Sequence, residues 1–336
     1  MRVSATLALC LLAACVAPKA AIPYLPTTNT LTESRALLVE SNEHLRRGDL
    51  SAALAGFQEA IDSGVREHDE STVVQALAQI ARVHAVRGDI ETAATWLHEA
   101  ELRASPSDPQ GWARYLFAEA LWLRALERPD AARQNLQRLF RYAAETDLAE
   151  VALEAAYELT LDGAQEERIT WSERAIALAE FLEDERWLAV LWNNLGWTLG
   201  TAERRDEALE ALLWAQHYHE LSGGTDLQQL SAQYSVGHAY RMVGDVENAG
   251  QWLAHSLRWA RERYRADASP LNAEWYGLCY LEVAELAAEL GELDQAIRGF
   301  ELAREYLLEG GAEERLPSGL QKLEERLQEL RALAYP

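Results

Sequence analysis

The sequence predicts an all-α protein, a solenoid of about seven helix-turn-helix pairs closed by a C-terminal helix. Three observations predict it. First, a turn recurs with the same followers. Arg47-Gly48-Asp49-Leu50 precedes Ala53, Phe57 and Ala60, and Arg87-Gly88-Asp89-Ile90 precedes Ala93, Leu97 and Ala100, at an offset of 40 residues. Second, apolar residues between turns keep helical spacing. Trp192, Leu195, Gly196 and Leu199 stand at i, i+3, i+4 and i+7, one face of a helix. Third, none of the nine prolines falls where the pattern needs a helix interior, where proline would remove a hydrogen bond and clash with the preceding turn. A solenoid also suits the length. Single cores rarely grow past ~250–300 residues, and this chain has 336; repeats need pack only against their neighbours.

The elements follow in chain order. Residues 1–14 read as an export signal. Met1-Arg2 is a short basic start, and Val3–Ala14 is apolar apart from Ser4, Thr6 and Cys10. Such a run is too short to span a bilayer, which takes ~20 residues, and has the length of the apolar part of a secretory signal. It ends Leu12-Ala13-Ala14-Cys15. That ending resembles the lipobox of bacterial lipoproteins, which implies cleavage before Cys15 and lipid on its sulfur and amine. Several acyl chains anchor stably where one is marginal. Val16 stands where that family's inner-membrane retention signal is aspartate, which points to the outer membrane. Residues 15–33 are then the lipidated cysteine and its tether. Pro18, Pro23 and Pro26 with Thr27, Thr28, Thr30 and Thr32 disfavour helix and favour an extended chain, with a reach of roughly 55 Å at ~3.1 Å per residue.

The solenoid is expected over residues 34–310, with turns near Gly48, Gly88, Glu127, Gly163, Glu203, Gly244 and Gly291. The glycines end helices as left-handed residues, and Asp49, Asp89 and Asp245 can cap the helices that follow. Val243-Gly244-Asp245-Val246 precedes Ala249 and Leu253, and Leu290-Gly291-Glu292-Leu293 precedes Ala296, Phe300 and Ala303. The small alanine lets two helices approach, and the large residue four later fills the space between repeats. The unit Trp192-Asn193-Asn194-Leu195-Gly196-Trp197-Thr198-Leu199, followed by Ala208 and Leu212, is similar to the tetratricopeptide repeat, whose pair carries Trp-x2-Leu-Gly-x2-Tyr and then Ala-x3-Phe. Leu199 replaces the tyrosine and Leu212 the phenylalanine; Tyr240, after Val236-Gly237, supplies the tyrosine in the next unit. The resemblance covers about residues 34–310, is weakest around Glu127 and Gly163, and implies a right-handed superhelix whose first helices line a concave groove. Every unit exceeds the family's ~34-residue period, as in long-helix relatives such as the sensor domain of maltose-type transcription activators. HEAT and armadillo repeats run at ~40–47 residues, but the Gly-Asp turn with its spaced alanine favours tetratricopeptide. Residues 311–336 are expected to form a capping helix over Leu320–Leu333 and a tail.

Composition narrows the function. With 54 acidic and 31 basic residues the net charge is −23. Such a field repels nucleic acid and attracts basic peptides or cationic surfaces. Cys10, Cys15 and Cys279 form neither a disulfide framework nor a thiol metal site. The Gly-x-Ser-x-Gly, phosphate-loop and His-Glu-x-x-His signatures are missing, so no enzyme, cofactor or metal is expected. His217 and His219, two apart, point away from each other on a helix. His44 and His84 fall in the family's tyrosine slot and are expected to pack. Trp96, Trp171 and Trp252 each stand eight residues after a turn residue, which implies a repeated job in the core.

The groove is the candidate site. Asn193 and Trp197 lie at i and i+4 with Asn194 beside them, and Tyr234, His238 and Arg241 at i, i+4 and i+7. Gln75, Gln79 and Arg82 hold matching places earlier, and Glu282, Glu285 and Glu289 later. Amides suit main-chain recognition, since each offers donor and acceptor, and Tyr and Trp give amphipathic contact area. The expectation is a lipid-anchored scaffold in the bacterial envelope, on the periplasmic face of the outer membrane. Its groove would hold a peptide or protein of mixed polarity, as an assembly factor of an envelope machine would. A cytoplasmic sensor module, and a glycan-binding or cell-wall enzyme using the tryptophans, are the alternatives.

Overall fold

The computed structural model describes residues 32–335. The signal segment, Cys15 and nearly all of the tether lie outside the described residues. Among the described residues there are sixteen α-helices and no strand. The chain divides into two compact units between Ala164 and Gln165. The first holds α1 (Glu33–Arg46), α2 (Leu50–Glu67), α3 (Glu70–Val86), α4 (Ile90–Glu101), α5 (Pro109–Ala125), α6 (Pro129–Glu145) and α7 (Ala149–Leu161). The second holds α8 (Gln165–Phe181), α9 (Glu185–Thr201), α10 (Arg205–Leu221), α11 (Asp226–Val243), α12 (Val246–Ala266), α13 (Pro270–Glu289), α14 (Leu293–Glu309), α15 (Ala312–Arg315) and α16 (Pro317–Ala334).

All seven expected turn residues are left-handed, with φ from 57° at Glu127 to 113° at Gly163. Glu127 and Glu203 do this without glycine's freedom, at a cost of about 1–2 kcal/mol each. The aspartates cap as expected. Asp49 accepts from the Ala52 amide at 3.1 Å, Asp89 from Thr92 at 3.3 Å and Asp245 from Asn248 at 3.1 Å.

Packing repeats with the turns. Seven residues before each turn stand Ser41, Ala81, Ala120, Ala156, Gly196, Gly237 and Ala284, all small and buried. Nine residues after it stand Phe57, Leu97, Leu136, Ser172, Leu212, Leu253 and Phe300, also buried. Small meets large inside a pair: a Cβ on Gly196 would lie 2.5 Å from Leu212 Cγ, and one on Gly237 2.7 Å from Leu253 Cδ2. Each large side chain so enclosed stabilises the fold by roughly 1.5–3 kcal/mol. The register departs at one turn, Gly163, where the large position is also filled by the small Ser172. Five residues after the turn, six repeats carry a buried alanine (Ala53, Ala93, Ala132, Ala208, Ala249, Ala296), but Arg168 follows Gly163. This is the turn at which the two units divide.

The tryptophan register holds in part: Trp171 is buried, while Trp96 and Trp252 are half-buried against apolar clusters. The C-terminal helix starts earlier than expected, at Pro317 rather than Leu320, after the one-turn α15. Leu323, Leu327 and Leu330 of α16 join one apolar cluster with Phe300, Ala303 and Leu307 of α14, and the remaining faces of α16 are exposed and charged. α16 thus covers the apolar side of α14.

Candidate functional site

One residue past the small buried position, each first helix presents a different side chain: Asn42, Arg82, Leu121, Tyr157, Trp197, His238 and Glu285. The expected site residues Trp197 and His238 belong to this register. Asn193 and Tyr234 lie one helical turn earlier on α9 and α11.

In the second unit these residues meet. The Trp197 indole donates to Ser235 Oγ at 3.2 Å and stacks on the His238 ring, with centroids 4.8 Å apart. Glu282, on α13, is only 6% exposed and is the hub. It pairs with His238 Nδ1 at 3.0 Å and accepts from Arg241 Nε at 2.9 Å and from the Tyr234 hydroxyl at 3.5 Å. Arg241 also reaches Glu289, and Trp275 closes edge-on against Tyr234 at 5.8 Å. Three successive first helices are thus joined by side chains far apart in sequence. Burial pushes the Glu282 carboxyl up, but the hydrogen bonds and charges of His238 and Arg241 outweigh it, and its pKa lies below the usual range. Burial, then the Glu282 charge, raise the Tyr234 phenol well above its ordinary value.

The structure therefore brings Trp197, Tyr234, His238 and Arg241 together, with their polar groups engaged mostly by one another. Tyr234 is 8% exposed, close to core burial. Asn193 and Asn194 stand apart from this cluster. Both are half-buried, and Asn193 Oδ1 is buried without a hydrogen-bond partner among the described residues.

The first unit has a comparable polar face. Gln79, buried on α3, donates to Asn42 Oδ1 on α1. Arg82 lies over the Phe117 ring of α5, with Cζ 5.0 Å from its centroid. Arg114 on α5 pairs with Glu154 on α7 at 2.6 Å, and Arg124 pairs with Glu158 and, at 2.9 Å, with Asp162. Sequence reasoning named Gln79 and Arg82 but missed the α5–α7 ion pairs. Their only signal is an Arg and a Glu 34 to 40 residues apart, visible once the repeat offset is known.

The remaining candidates are bracing or core groups. His84 Nδ1 lies 3.1 Å from Asp89 Oδ2 and His44 Nδ1 3.7 Å from Asp49 Oδ2, so both histidines brace the turn at its capping aspartate. His219 is buried and His217 exposed, on different faces of α10. Cys279, one turn from Glu282, is fully buried, and burial followed by the Glu282 charge pushes its thiol up, which leaves it protonated and unreactive.

No protein-family model and no curated protein matches the sequence. Solved structures share its fold. A signal transduction ATPase with numerous domains (STAND) protein with a tetratricopeptide repeat sensor, from Pyrococcus horikoshii, superimposes with a TM-score of 0.68 at 14% identity over 86% of this chain. The chain spans 44% of that protein's length. BtubC (BKLC) from P. vanneervenii superimposes at 0.54 with 16% identity, covering 69% of this chain and 93% of that one. A Rap protein complexed with competence and sporulation factor superimposes at 0.53 with 14% identity, covering 90% and 88%. At such identities the likeness establishes the fold, an all-α solenoid of tetratricopeptide type.

Proposed function

We propose that the chain is a lipid-anchored interaction scaffold of the bacterial envelope. Cys15 holds it to the membrane, with the outer membrane as the favoured one. The first-helix face of the repeats holds a segment of a peptide or protein partner. The observation that carries the binding reading is the half-buried polar and aromatic face of α9, where Asn193 and Asn194 stand one turn before Trp197. An amide offers a partner's main chain both donor and acceptor. His238, which stacks on Trp197, is held by Glu282, so that less ordering remains to be done on binding. The Rap protein, with a like fold, is one that was solved with a bound factor.

The test is capture of partners from detergent-solubilised membranes by the wild type and by Asn193→Ala/Asn194→Ala. Loss of specific proteins from the double variant is expected; an unchanged set of captured proteins refutes the reading. The anchor is tested by metabolic labelling with radioactive acyl chains. Label on the wild type and none on Cys15→Ser is expected, and absent label, or label that survives the substitution, refutes it. The likeness to a sensor domain favours one second reading, a cytoplasmic sensor module. A reporter fused after residue 40 that stays in the cytoplasm would select it.

A further inference from the structure

We propose that a cavity between α11 and α12 is a saccharide site, which takes a neutral pyranose ring of an oligosaccharide. None of its lining residues belongs to the Glu282 cluster, and its test does not depend on the scaffold reading.

The cavity has a volume of about 370 Å³ and is lined by Gln229, Gln233, His255, Arg258, Trp259 and Glu262. Small-molecule sites span ~300–1,000 Å³. The repeat explains why the space is open. The same positions one repeat earlier, 41 residues back, include Trp192, Trp214 and Tyr218. There Trp192 stacks on Trp214 with centroids 6.3 Å apart, and Trp214 on Tyr218 at 6.0 Å. Gln233 stands where that repeat has Trp192, and His255 where it has Trp214. The smaller side chains leave unfilled the space that two indoles take up one repeat before.

The walls are oriented before any ligand arrives. Gln229 Nε2 donates to the Gly224 carbonyl oxygen at 2.9 Å, which fixes its Oε1 as an acceptor. Gln233 Oε1 meets His255 Nδ1 at 2.6 Å. An amide oxygen only accepts, so Nδ1 carries the proton and Gln233 Nε2 is left as a donor. Neither Gln229 Oε1 nor Gln233 Nε2 forms a hydrogen bond among the described residues, and Arg258 and Glu262 form no ion pair there. Trp259 packs against the apolar cluster of Leu230, Tyr276 and Cys279 and also lines the cavity.

These groups select a saccharide. A pyranose surrounds an apolar C–H face with hydroxyls that donate and accept at once. The acceptor on Gln229 and the donor on Gln233, one helical turn apart, suit neighbouring hydroxyls, and the Trp259 indole suits the C–H face. Arg258 and Glu262 are exposed and of opposite charge, so their charges cancel and favour no ion, while each can still hydrogen-bond a hydroxyl. A peptide would need places for its side chains, and apart from Trp259 the lining is polar. Trp214, 42% exposed, offers a second ring in the preceding repeat, so an oligosaccharide fits better than a single sugar.

The test is titration calorimetry of the full-length protein in a detergent without a sugar headgroup. The probes are triacetylchitotriose and cellotriose, which differ in the acetamide, with N-acetylglycylglycinamide as a main-chain control. Saturable binding of at least one trisaccharide is expected, with a Kd of about 0.1–1 mM. Gln233→Ala removes the free donor and should weaken it about fivefold, the scale of one neutral hydrogen bond. Glu262→Ala, at an exposed side chain, should weaken it without touching the core, and decides alone if Gln233→Ala does not fold. Weakening by either variant, with its melting curve unchanged, supports the proposal. It is overturned if neither trisaccharide binds at about 10 mM, if both variants bind as the wild type does, or if the dipeptide binds as tightly as the sugars.

Discussion

Replacing Glu282 by glutamine is the sharpest perturbation of the second unit. The carboxylate is 6% exposed and has two short charged contacts, His238 at 3.0 Å and Arg241 at 2.9 Å, besides the longer one from Tyr234. Hydrogen bonds to charged groups contribute about 1.5–3 kcal/mol each. Glutamine keeps one acceptor but loses the charge and the second acceptor, so about 2–4 kcal/mol should go. Alanine leaves Arg241 buried with only Glu289, and the loss should reach the ~3–5 kcal/mol of a broken buried pair. For a unit of this size each kcal/mol lowers the Tm by roughly 2–4 °C, so Glu282→Gln should melt about 4–16 °C lower by circular dichroism. Because the folded pKa of Glu282 is depressed, its stabilisation is present above the ordinary carboxylate value of ~4.3 and is lost as pH falls through the folded value. The difference between wild type and Glu282→Gln should therefore shrink in acid. A double replacement, Glu282→Leu with Arg241→Met, should recover much of the loss, since an apolar pair of similar size needs no compensating charge. If Glu282→Gln melts within about 1 °C of wild type at neutral pH, the hub contributes nothing net and the reasoning is wrong.

Other perturbations follow from the same geometry. Gly277→Ala places a Cβ 2.9 Å from the Leu307 amide nitrogen and 3.0 Å from the Ala303 carbonyl oxygen, backbone that cannot step aside; a loss of about 1–3 kcal/mol by chemical denaturation is expected. Gly250→Ala, whose Cβ would meet only Leu286 Cδ2 at 3.9 Å, should instead gain about 0.5–1 kcal/mol from helix propensity. Asp69 accepts from the Thr72 amide at 3.2 Å and from Arg35 Nε at 2.9 Å, and Asp69→Ala should cost about 1–2 kcal/mol in the same assay. Burial raises its pKa, but the Thr72 and Arg35 hydrogen bonds outweigh it and the net shift is downward. Its stabilisation is thus present above ~3.9 and lost as pH falls through the folded value, and Asp69→Asn, which keeps a cap oxygen, should flatten that acid limb. In a Cys10→Ser/Cys15→Ser background, Cys279 should react with an aromatic disulfide reagent only as the protein unfolds; rapid native labelling would contradict its burial.

Much of the fold was legible because one local device marks it. All but one of the turn residues are followed by the same small and large positions, and Ala208 and Leu212 mark the turn at Glu203, which has no glycine to announce it. The turns at His68, Asp147 and Glu183 are also left-handed, yet ordinary residues occupy them and no repeated follower marks them. The polar stripe was legible as a face, because spacing of three and four residues puts Tyr234, His238 and Arg241 on one side of a helix. Its engagement was not. Glu282 reaches these three from the next repeat, 41 to 48 residues on, and periodicity within a helix says nothing of what a neighbouring helix contributes. The histidines of the tyrosine slot show the same limit: their spacing from the turn was plain, but their pairing with Asp49 and Asp89 depends on the curl of the turn itself.

The residue one past each buried small position behaves differently from its neighbours. The positions that build the frame are nearly synonymous from repeat to repeat: alanine, glycine or serine before the turn, and a large apolar residue after it in all but one. The residue at this position is never repeated. It reads amide, guanidinium, aliphatic, phenol, indole, imidazole and carboxylate along Asn42, Arg82, Leu121, Tyr157, Trp197, His238 and Glu285. The chain is written like a ruled page, with spacing held constant and one free character per line. Where the residue at this position has no ion pair or hydrogen bond among the described residues, as at Arg82, whose contact is the Phe117 ring, it can be rewritten with less disturbance to the frame, so a change of partner needs few substitutions. Where it is tied into the frame, as His238 is through Glu282, the same rewriting is coupled to stability, and specificity there should change only together with the hub.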